Sequence, residues 1–197
     1  MIARIVVVAV GYLAGSLPFG YWIVRRLRGA DIRTLGSHNT GATNVWRSCG
    51  SRLGIGTLLL DIAKGALPAL AGVLVDGATL GVIAGAAAVL GHSFPILLGF
   101  GGGKGVATGA GVLLAVAPVC FAVALAVFVA ALLLGRFVSL ASMLGAVACF
   151  ATALATGQPV SVLAFCAIVG GFVILRHRAN IGRLLARTEP QITLRRR

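Results

Sequence analysis

Two short loops of this chain contain the residue types that bind an oxyanion such as phosphate. Residues 35–44 read LGSHNTGATN and residues 101–108 read GGGKGVAT, and both adjoin apolar runs. Glycine lets backbone N–H groups approach an anion closely, while short hydroxyls, side-chain amides and a lysine supply further donors. The two loops therefore predict a phosphate-type site, although Asn and Thr also favour loop and cap positions without any ligand.

The polar residues near these loops also have structural interpretations. GGGKG lacks a Ser or Thr after Lys104 and the full Walker A spacing, so it does not predict nucleotide binding, and its glycines could serve helix packing instead. Asp61 and Lys64 share one helix face, and we interpret them as a structural intramembrane pair lining a cavity rather than as catalysts. His92, beside a helix break, fits a packing or a site role equally. A basic stripe near the C-terminus could simply anchor its helix to anionic headgroups: Arg176, Arg183 and Arg187.

Cations, hydroxyls and amides dominate the polar inventory, and carboxylates are nearly absent from it. A metal site would need clustered Asp, Glu, His or thiolate ligands. The inventory therefore predicts an anion site without a metal. Its members are Ser37, Asn39, Thr43, Asn44, Arg47, His92, Lys104, Arg136, Ser139, Ser142, His177, Asn180 and Arg183.

The composition is that of a membrane protein. Of the 197 residues, 59% are hydrophobic and 11% charged, and the mean hydropathy is +1.04, which does not suit a water-soluble surface. The net charge of +13 does not indicate nucleic acid, because the basic residues are confined to short stretches without interleaved aromatics. The four cysteines form no CxxC pair and predict free thiols. We expect one polytopic membrane domain over residues 1–197.

The charge pattern predicts an all-α integral membrane protein with seven transmembrane helices, the N-terminus outside and the C-terminus in the cytoplasm. The polar segment 25–52 carries six arginines against the single Asp31, so the positive-inside rule places it in the cytoplasm. The predicted spans are residues 5–24, 53–75, 78–98, 105–117, 118–135, 138–156 and 160–175.

A short fourth helix follows from residues 105–135, which contain no charged side chain. As one helix they would be about 46 Å long, whereas the hydrocarbon core is only about 30 Å thick. Splitting them at Ala117 and Pro118 puts Arg136 and the seven arginines from Arg176 to Arg197 in the cytoplasm. The fourth helix, about 20 Å long, could then point its positive N-terminus at an anion held by the glycine loop.

The motifs GSHNTGATNVWR, DIAKG, GHSFPILLGFGGGKGVATG, VSLAS and RHRANIGRLL, in this order, resemble those of the bacterial acyl-phosphate:glycerol-3-phosphate acyltransferases over nearly the whole chain. The resemblance implies transfer of the acyl group of fatty acyl phosphate to the 1-hydroxyl of glycerol 3-phosphate, giving lysophosphatidic acid and inorganic phosphate. It implies no cofactor, a place in the bacterial inner membrane, an active site facing the cytoplasm, and an acyl-phosphate-producing enzyme as a possible partner. From the residues alone, a carrier or channel for an organic phosphate is the alternative.

The resemblance also implies residue roles. The matching catalytic positions are Ser37, Arg47, Lys104, Ser142, His177 and Asn180. From the residue types, we also expect phosphate to be held by the first loop and by the glycine amides, at Asn39, Gly41, Ala42, Thr43, Asn44, Gly102, Gly103 and Gly105. Either His177 or the departing phosphate would take the proton of the attacking hydroxyl. The chain departs from the family pattern at His38, where glycine is typical, at Gly101, where lysine is frequent, and in LLARTEP, where LLxGxE is usual.

Overall fold

A computed structural model describes residues 1–193, and all of its regular elements are helical. The described residues form nine α-helices and two 3₁₀ turns, at Ile32–Thr34 and Ile96–Leu98. The helices are α1 (Ile2–Gly15), α2 (Phe19–Arg28), α3 (Ala42–Cys49), α4 (Ser51–Ser93), α5 (Val106–Val116), α6 (Pro118–Gly135), α7 (Val138–Ala155), α8 (Val160–Arg176) and α9 (Arg178–Leu185). The all-α prediction is therefore confirmed for these residues.

Several of these helices are long and apolar enough to cross a membrane. Among the described residues, four stretches qualify by length and hydropathy: Ile2–Arg28, Ser51–Leu98, Pro118–Gly135 and Val138–Ala155. A fifth is added if α8 and α9, which meet at a bend of 57°, are counted as one span. Helix α5 is apolar but only 11 residues long, as expected of the short fourth helix.

The chain divides into two compact units, Met1–Val116 and a second one that begins at Ala117. In the first unit, α1 and α5 pack against α4 at glycines, with very close backbone approach. A Cβ built on Gly15 would collide with the backbone of Ala88, and one on Gly65 with the backbone of Thr108. Small residues at such contacts are typical of helices that associate in membranes.

Helix α4 is broken near its middle, where the sequence predicted a turn between two spans. Asp76 and Gly77 leave the helical conformation, and Gly77 has a φ of 75°. The Asp76 carboxylate pairs with Arg4 near the start of α1, with 2.8 Å between Nε and Oδ2. The first half of α4 therefore ends beside the N-terminus of α1.

The predicted first span, residues 5–24, is not one continuous helix. Helix α1 ends at Gly15, and α2 begins at Phe19 after Ser16, Leu17 and Pro18. Proline has no backbone N–H and disfavours helical geometry in the residue before it, which explains the break. The sequence analysis missed this interruption, and it brings the Leu17 carbonyl out of the helical hydrogen-bond pattern.

The second unit contains α6 to α9 and the segment that follows them. Pro118 begins α6, so the break predicted at Ala117 and Pro118 is confirmed. The segment after α9 returns to the corner between α6 and α7, where the Ile192 N–H donates to the Arg136 carbonyl at 2.9 Å. Our expectation for the last three arginines, residues 195–197, lies outside the described residues.

Candidate functional site

The first polar loop, residues 29–41, is organised by the side chain of Asn44 from α3. The Asn44 Oδ1 accepts the N–H of Ser37 at 2.9 Å, and its Nδ2 donates to the carbonyls of Leu35 at 2.9 Å and Asn39 at 2.8 Å. Asn44 is 3% exposed. Its side chain therefore binds the loop itself and shapes the backbone around Ser37.

Asn39 joins the first polar loop to the glycine loop, residues 99–105. Its Oδ1 accepts the N–H of Gly41 at 2.8 Å, and its Nδ2 lies 3.4 Å from the carbonyl oxygen of Gly102. Two stretches more than sixty residues apart in sequence are thus linked directly. This contact brings together the two loops that the sequence singled out.

The remaining predicted residues of the first loop lie around the start of α3. Ser37 is exposed, whereas Thr43 and Arg47 are partly buried and one turn apart on α3. Gly41 precedes the first helical residue, Ala42, and the first amides of a helix have no acceptor within it. The start of α3 can therefore direct backbone donors at an anion.

The backbone amides of Gly102 and Gly103 are bonded to α4, contrary to our expectation that they bind a phosphate. The Gly102 N–H donates to the Ser93 carbonyl at 3.2 Å, and the Gly103 N–H donates to the His92 carbonyl at 3.0 Å. Because a backbone amide has one hydrogen, both donors are already used. These glycines are required for packing instead, since a Cβ on either would collide with residue His92.

The rest of the glycine loop leads into α5. Gly105 has a φ of 84°, a left-handed conformation that glycine adopts without strain. The partly buried Lys104 lies between Gly103 and this turn. Its cation is the charge that the loop contributes.

Asp61, Lys64 and His92 form a buried cluster in the first unit, as the interpretation of Asp61 and Lys64 as a structural pair predicts. Lys64 Nζ lies 2.8 Å from Asp61 Oδ1, and His92 Nδ1 lies 3.7 Å from the same oxygen. All three side chains line a cavity of about 10 Å³, which is about the size that one water needs. The cluster lies on α4, on both sides of its break.

In the second unit, His177 has one ring nitrogen fixed by the backbone. Nδ1 lies 2.7 Å from the Val173 carbonyl oxygen, and the side chain is buried. Because a carbonyl only accepts, Nδ1 carries the hydrogen. In the neutral imidazole the lone pair is then on Nε2, the nitrogen that can take a proton.

Glu189, which the sequence analysis did not single out, contacts three of the predicted polar residues. Its carboxylate accepts hydrogen bonds from Ser139 at 2.8 Å, Asn180 at 2.6 Å and Arg183 at 2.7 Å. Burial alone would raise the pKa of Glu189, but these three bonds outweigh it and hold the pKa below its ordinary value. Its rarity was the available signal, because the chain has only four acidic residues, and only this one is in the basic C-terminal region.

The other predicted residues of the second unit lie on or beside α7. Ser142 is buried, and its hydroxyl donates to the Val138 carbonyl one turn earlier at 2.8 Å. Arg136 is exposed at the corner between α6 and α7, with a φ of 58°. The structure thus gathers Ser139, Asn180 and Arg183 around one carboxylate.

Two positions that depart from the family pattern have left-handed backbone conformations. His38 and Arg187 both have a φ of 58°, a region in which glycine is favoured. His38 is held there partly by its Nδ1, which lies 2.8 Å from the Arg33 carbonyl oxygen. The structure therefore explains why the pattern has glycine in these two places.

Among the described residues, no group of three or more His, Cys, Asp and Glu side chains is arranged to hold a metal ion. The partly buried Asp31 is paired with Arg33 instead, and hydrogen bonds from Arg33 lower its pKa to about 2. The polar residues of both units are thus mostly donors and cations.

Together, these features define a multi-pass α-helical membrane protein. The family model described as glycerol-3-phosphate acyltransferase matches residues 5–187, and the chain belongs to this family. The glycerol-3-phosphate acyltransferase of Myxococcus xanthus (strain DK1622) is 46% identical over 184 residues, covering 92% of this chain and 96% of the relative. That of Aquifex aeolicus (strain VF5) is 43% identical over 180 residues, covering 90% and 93%.

The fold is also similar to solved structures of PlsY (YgiH), an integral membrane glycerol 3-phosphate acyltransferase. Its glycerol 3-phosphate form has a TM-score of 0.92 and 40% identity to this chain, and the match covers 96% of both chains. Its lysophosphatidic acid form has a TM-score of 0.89 at the same identity, covering 96% of this chain and 95% of the other. The family resemblance inferred from the motifs is confirmed.

Proposed function

We propose that this protein transfers the acyl group of fatty acyl phosphate to the 1-hydroxyl of glycerol 3-phosphate, giving lysophosphatidic acid and inorganic phosphate. The observation that carries the proposal is the fold match, at 40% identity over 96% of both chains, to an acyltransferase in its glycerol 3-phosphate form. Both substrates are phosphates, which suits a polar inventory of cations, hydroxyls and amides.

The donor explains why the inventory contains so few acids. An acyl phosphate is already activated, so the glycerol oxygen can attack the acyl carbon directly while the bond from that carbon to the phosphate oxygen breaks. The leaving phosphate carries away the electron pair, and the hydroxyl proton goes to His177 or to that phosphate. Orientation of the substrates and stabilisation of the developing negative charge then supply the rate acceleration.

We assign the phosphate contacts in the first unit to side chains and to the start of α3. Ser37, Arg47 and Lys104 would contact phosphoryl oxygens, with backbone donors from Ala42 and Thr43 in place of the Gly102 and Gly103 amides. Asn39 and Asn44 would hold the loop in shape, because their side chains bond to loop backbone. An anion at a helix N-terminus gains from both the unpaired amides and the helix dipole.

In the second unit, we assign Ser142, His177 and Asn180 to glycerol 3-phosphate. Asn180 is held by Glu189 through its Nδ2, so its amide oxygen has a defined direction. The fixed Nδ1 of His177 supports Nε2 as the proton acceptor, although the departing phosphate is a second acceptor. A test must separate these two routes for the proton.

Replacing His177 by Ala and by Asn separates them. An asparagine can still donate to the Val173 carbonyl but cannot accept a proton at neutral pH, so it is the matched control. If His177 is the base, both variants should lower kcat by roughly 10²- to 10⁴-fold with little change in KM. Near-normal turnover of the Asn variant would assign the proton to the phosphate and leave His177 a positioning role.

The membrane arrangement we propose has seven spans in a single polytopic domain, with the N-terminus outside and the C-terminus and the site in the cytoplasm. The break at Asp76 and Gly77 and the short α5 support this count. In a cysteine-free background, Arg28→Cys should react with an impermeant thiol reagent only from the cytoplasmic side, and Asp76→Cys only from the outer side. The reverse labelling, or both from one side, would refute the topology.

The activity itself is tested with purified protein in lipid vesicles of defined composition. Supplied with palmitoyl phosphate and glycerol 3-phosphate, it should release inorganic phosphate and form lysophosphatidic acid in equal amounts. Palmitoyl-CoA in place of palmitoyl phosphate should give no product. Uptake of glycerol 3-phosphate into the vesicles without product formation would instead identify a carrier.

A further inference from the structure

The buried cluster of Asp61, Lys64 and His92 has no part in the chemistry described above. Burying ionisable side chains costs free energy, so the cluster calls for an explanation. The side chains are 3%, 5% and 6% exposed, in a helix whose other residues are mostly apolar. Ionisable groups at such depth are expensive and are usually retained for a role. The Asp61 oxygen that contacts Lys64 is also the oxygen nearest His92.

Lys64 connects this cluster to the break between α1 and α2. Its Nζ donates to the Leu17 carbonyl at 3.0 Å and lies 5.7 Å from the centre of the Phe19 ring. The start of α2 in turn packs on the first polar loop, because a Cβ on Gly20 would collide with the carbonyl oxygen of Thr40. Lys64 therefore fixes the helix on which the first polar loop rests.

His92 connects the same cluster to the glycine loop. Its carbonyl accepts the Gly103 amide, and its imidazole lies against the Cα of Gly103, where any Cβ would collide with Nε2. The contact from Asn39 to the Gly102 carbonyl then joins the glycine loop to the first polar loop. The cluster thus reaches both loops through different side chains.

We propose that Asp61, Lys64 and His92 are positioning residues that hold the first polar loop and the glycine loop in register for acyl transfer. Asp61 pairs with Lys64 and lies beside the His92 ring, Lys64 fixes the start of α2, and the His92 ring is the surface on which Gly103 rests. This inference rests on the proposed function, because it concerns the placement of Ser37 and Lys104. No member of the cluster needs to touch a substrate.

A double-mutant cycle tests the His92 contact in the full-length protein in lipid vesicles. His92→Ala should lower kcat roughly 10- to 100-fold, the loss expected when reacting groups move by about 1 Å, and KM for glycerol 3-phosphate should change far less. Gly103→Ala should lower kcat similarly, because its methyl displaces the ring. In the double variant the methyl fits the vacated space, so the second substitution should cost little.

Two further variants keep the test decisive if some proteins fold poorly. Val89→Ala, a buried change one turn before His92 on the same helix, should lower the melting temperature while kcat stays within about twofold. Asp61→Asn combined with Lys64→Met removes both charges together, so no lone charge is buried, and should lower kcat as His92→Ala does. The inference would be overturned by additive losses of kcat in the double-mutant cycle. It would also be overturned if Val89→Ala lowered kcat as much as His92→Ala does, or if the Asp61 and Lys64 double variant had a near-normal kcat. Absence of product from the wild type would refute the proposed function instead.

Discussion

Replacing the buried Glu189 by Ala should strongly destabilise the second unit. The substitution removes the acceptor of two buried donors, the Ser139 hydroxyl and the Asn180 amide, and of the Arg183 guanidinium. Each orphaned buried donor costs about 1–3 kcal/mol. Arg183 can be hydrated in the variant, because its side chain is 39% exposed, so losing its bond to Glu189 costs less free energy. The expected loss is about 3–5 kcal/mol.

The measurement is thermal unfolding of the purified protein in detergent micelles. A loss of this size corresponds to roughly 6–20 °C in Tm for a chain of this length. The control is Gln191→Ala, two residues further along, which removes only a 3.3 Å bond to the Gly135 carbonyl and should change Tm by less than about 2 °C. If the Tm of Glu189→Ala equals that of Gln191→Ala, the carboxylate does not stabilise the fold as a hydrogen-bond acceptor.

The same carboxylate predicts a pH dependence. Because the pKa of Glu189 is lower in the folded protein than in the unfolded chain, its contribution is fully present above the ordinary carboxyl value of about 4.5. The contribution should be lost as the pH falls through the lower folded value. The Tm difference between wild type and Glu189→Gln should therefore be constant at neutral pH and shrink below about pH 4.5. A difference that grows on acidification would refute the reasoning.

Four further substitutions give contrasting outcomes. Asn44→Ala removes four hydrogen bonds to the first polar loop. It should lower the free energy of unfolding by about 2–4 kcal/mol and lower kcat at least about tenfold. An active, stable variant would show that the loop keeps its conformation without Asn44. Arg187→Gly relieves a left-handed conformation and should raise Tm by roughly 2–4 °C, whereas His38→Gly, which also loses its bond to Arg33, should be nearly neutral. Arg4→Ala breaks the exposed pair with Asp76 and should cost less than about 1 kcal/mol; a larger loss would mean that this pair is more shielded than its exposure indicates.

Much of the fold was predictable because local sequence and bilayer thickness decide it together. The break at Asp76 and Gly77 follows from a charge and a glycine between two apolar runs. The break at Ala117 and Pro118 follows from a run too long for one span. By contrast, the interruption at Leu17 and Pro18 was missed because no charge marks it, and the apolar run continues on both sides.

The sequence by itself determined the helical class, the two polar loops and the residue types of an anion site, because these depend on composition, spacing and motif order. Only the tertiary structure decided which donors are already used. Gly102 and Gly103 look like phosphate ligands in sequence, yet their amides bond to α4. Glu189 acquires its role from Ser139, fifty positions away. Hydrogen bonding between distant residues depends on how helices pack, and one short motif does not contain that information.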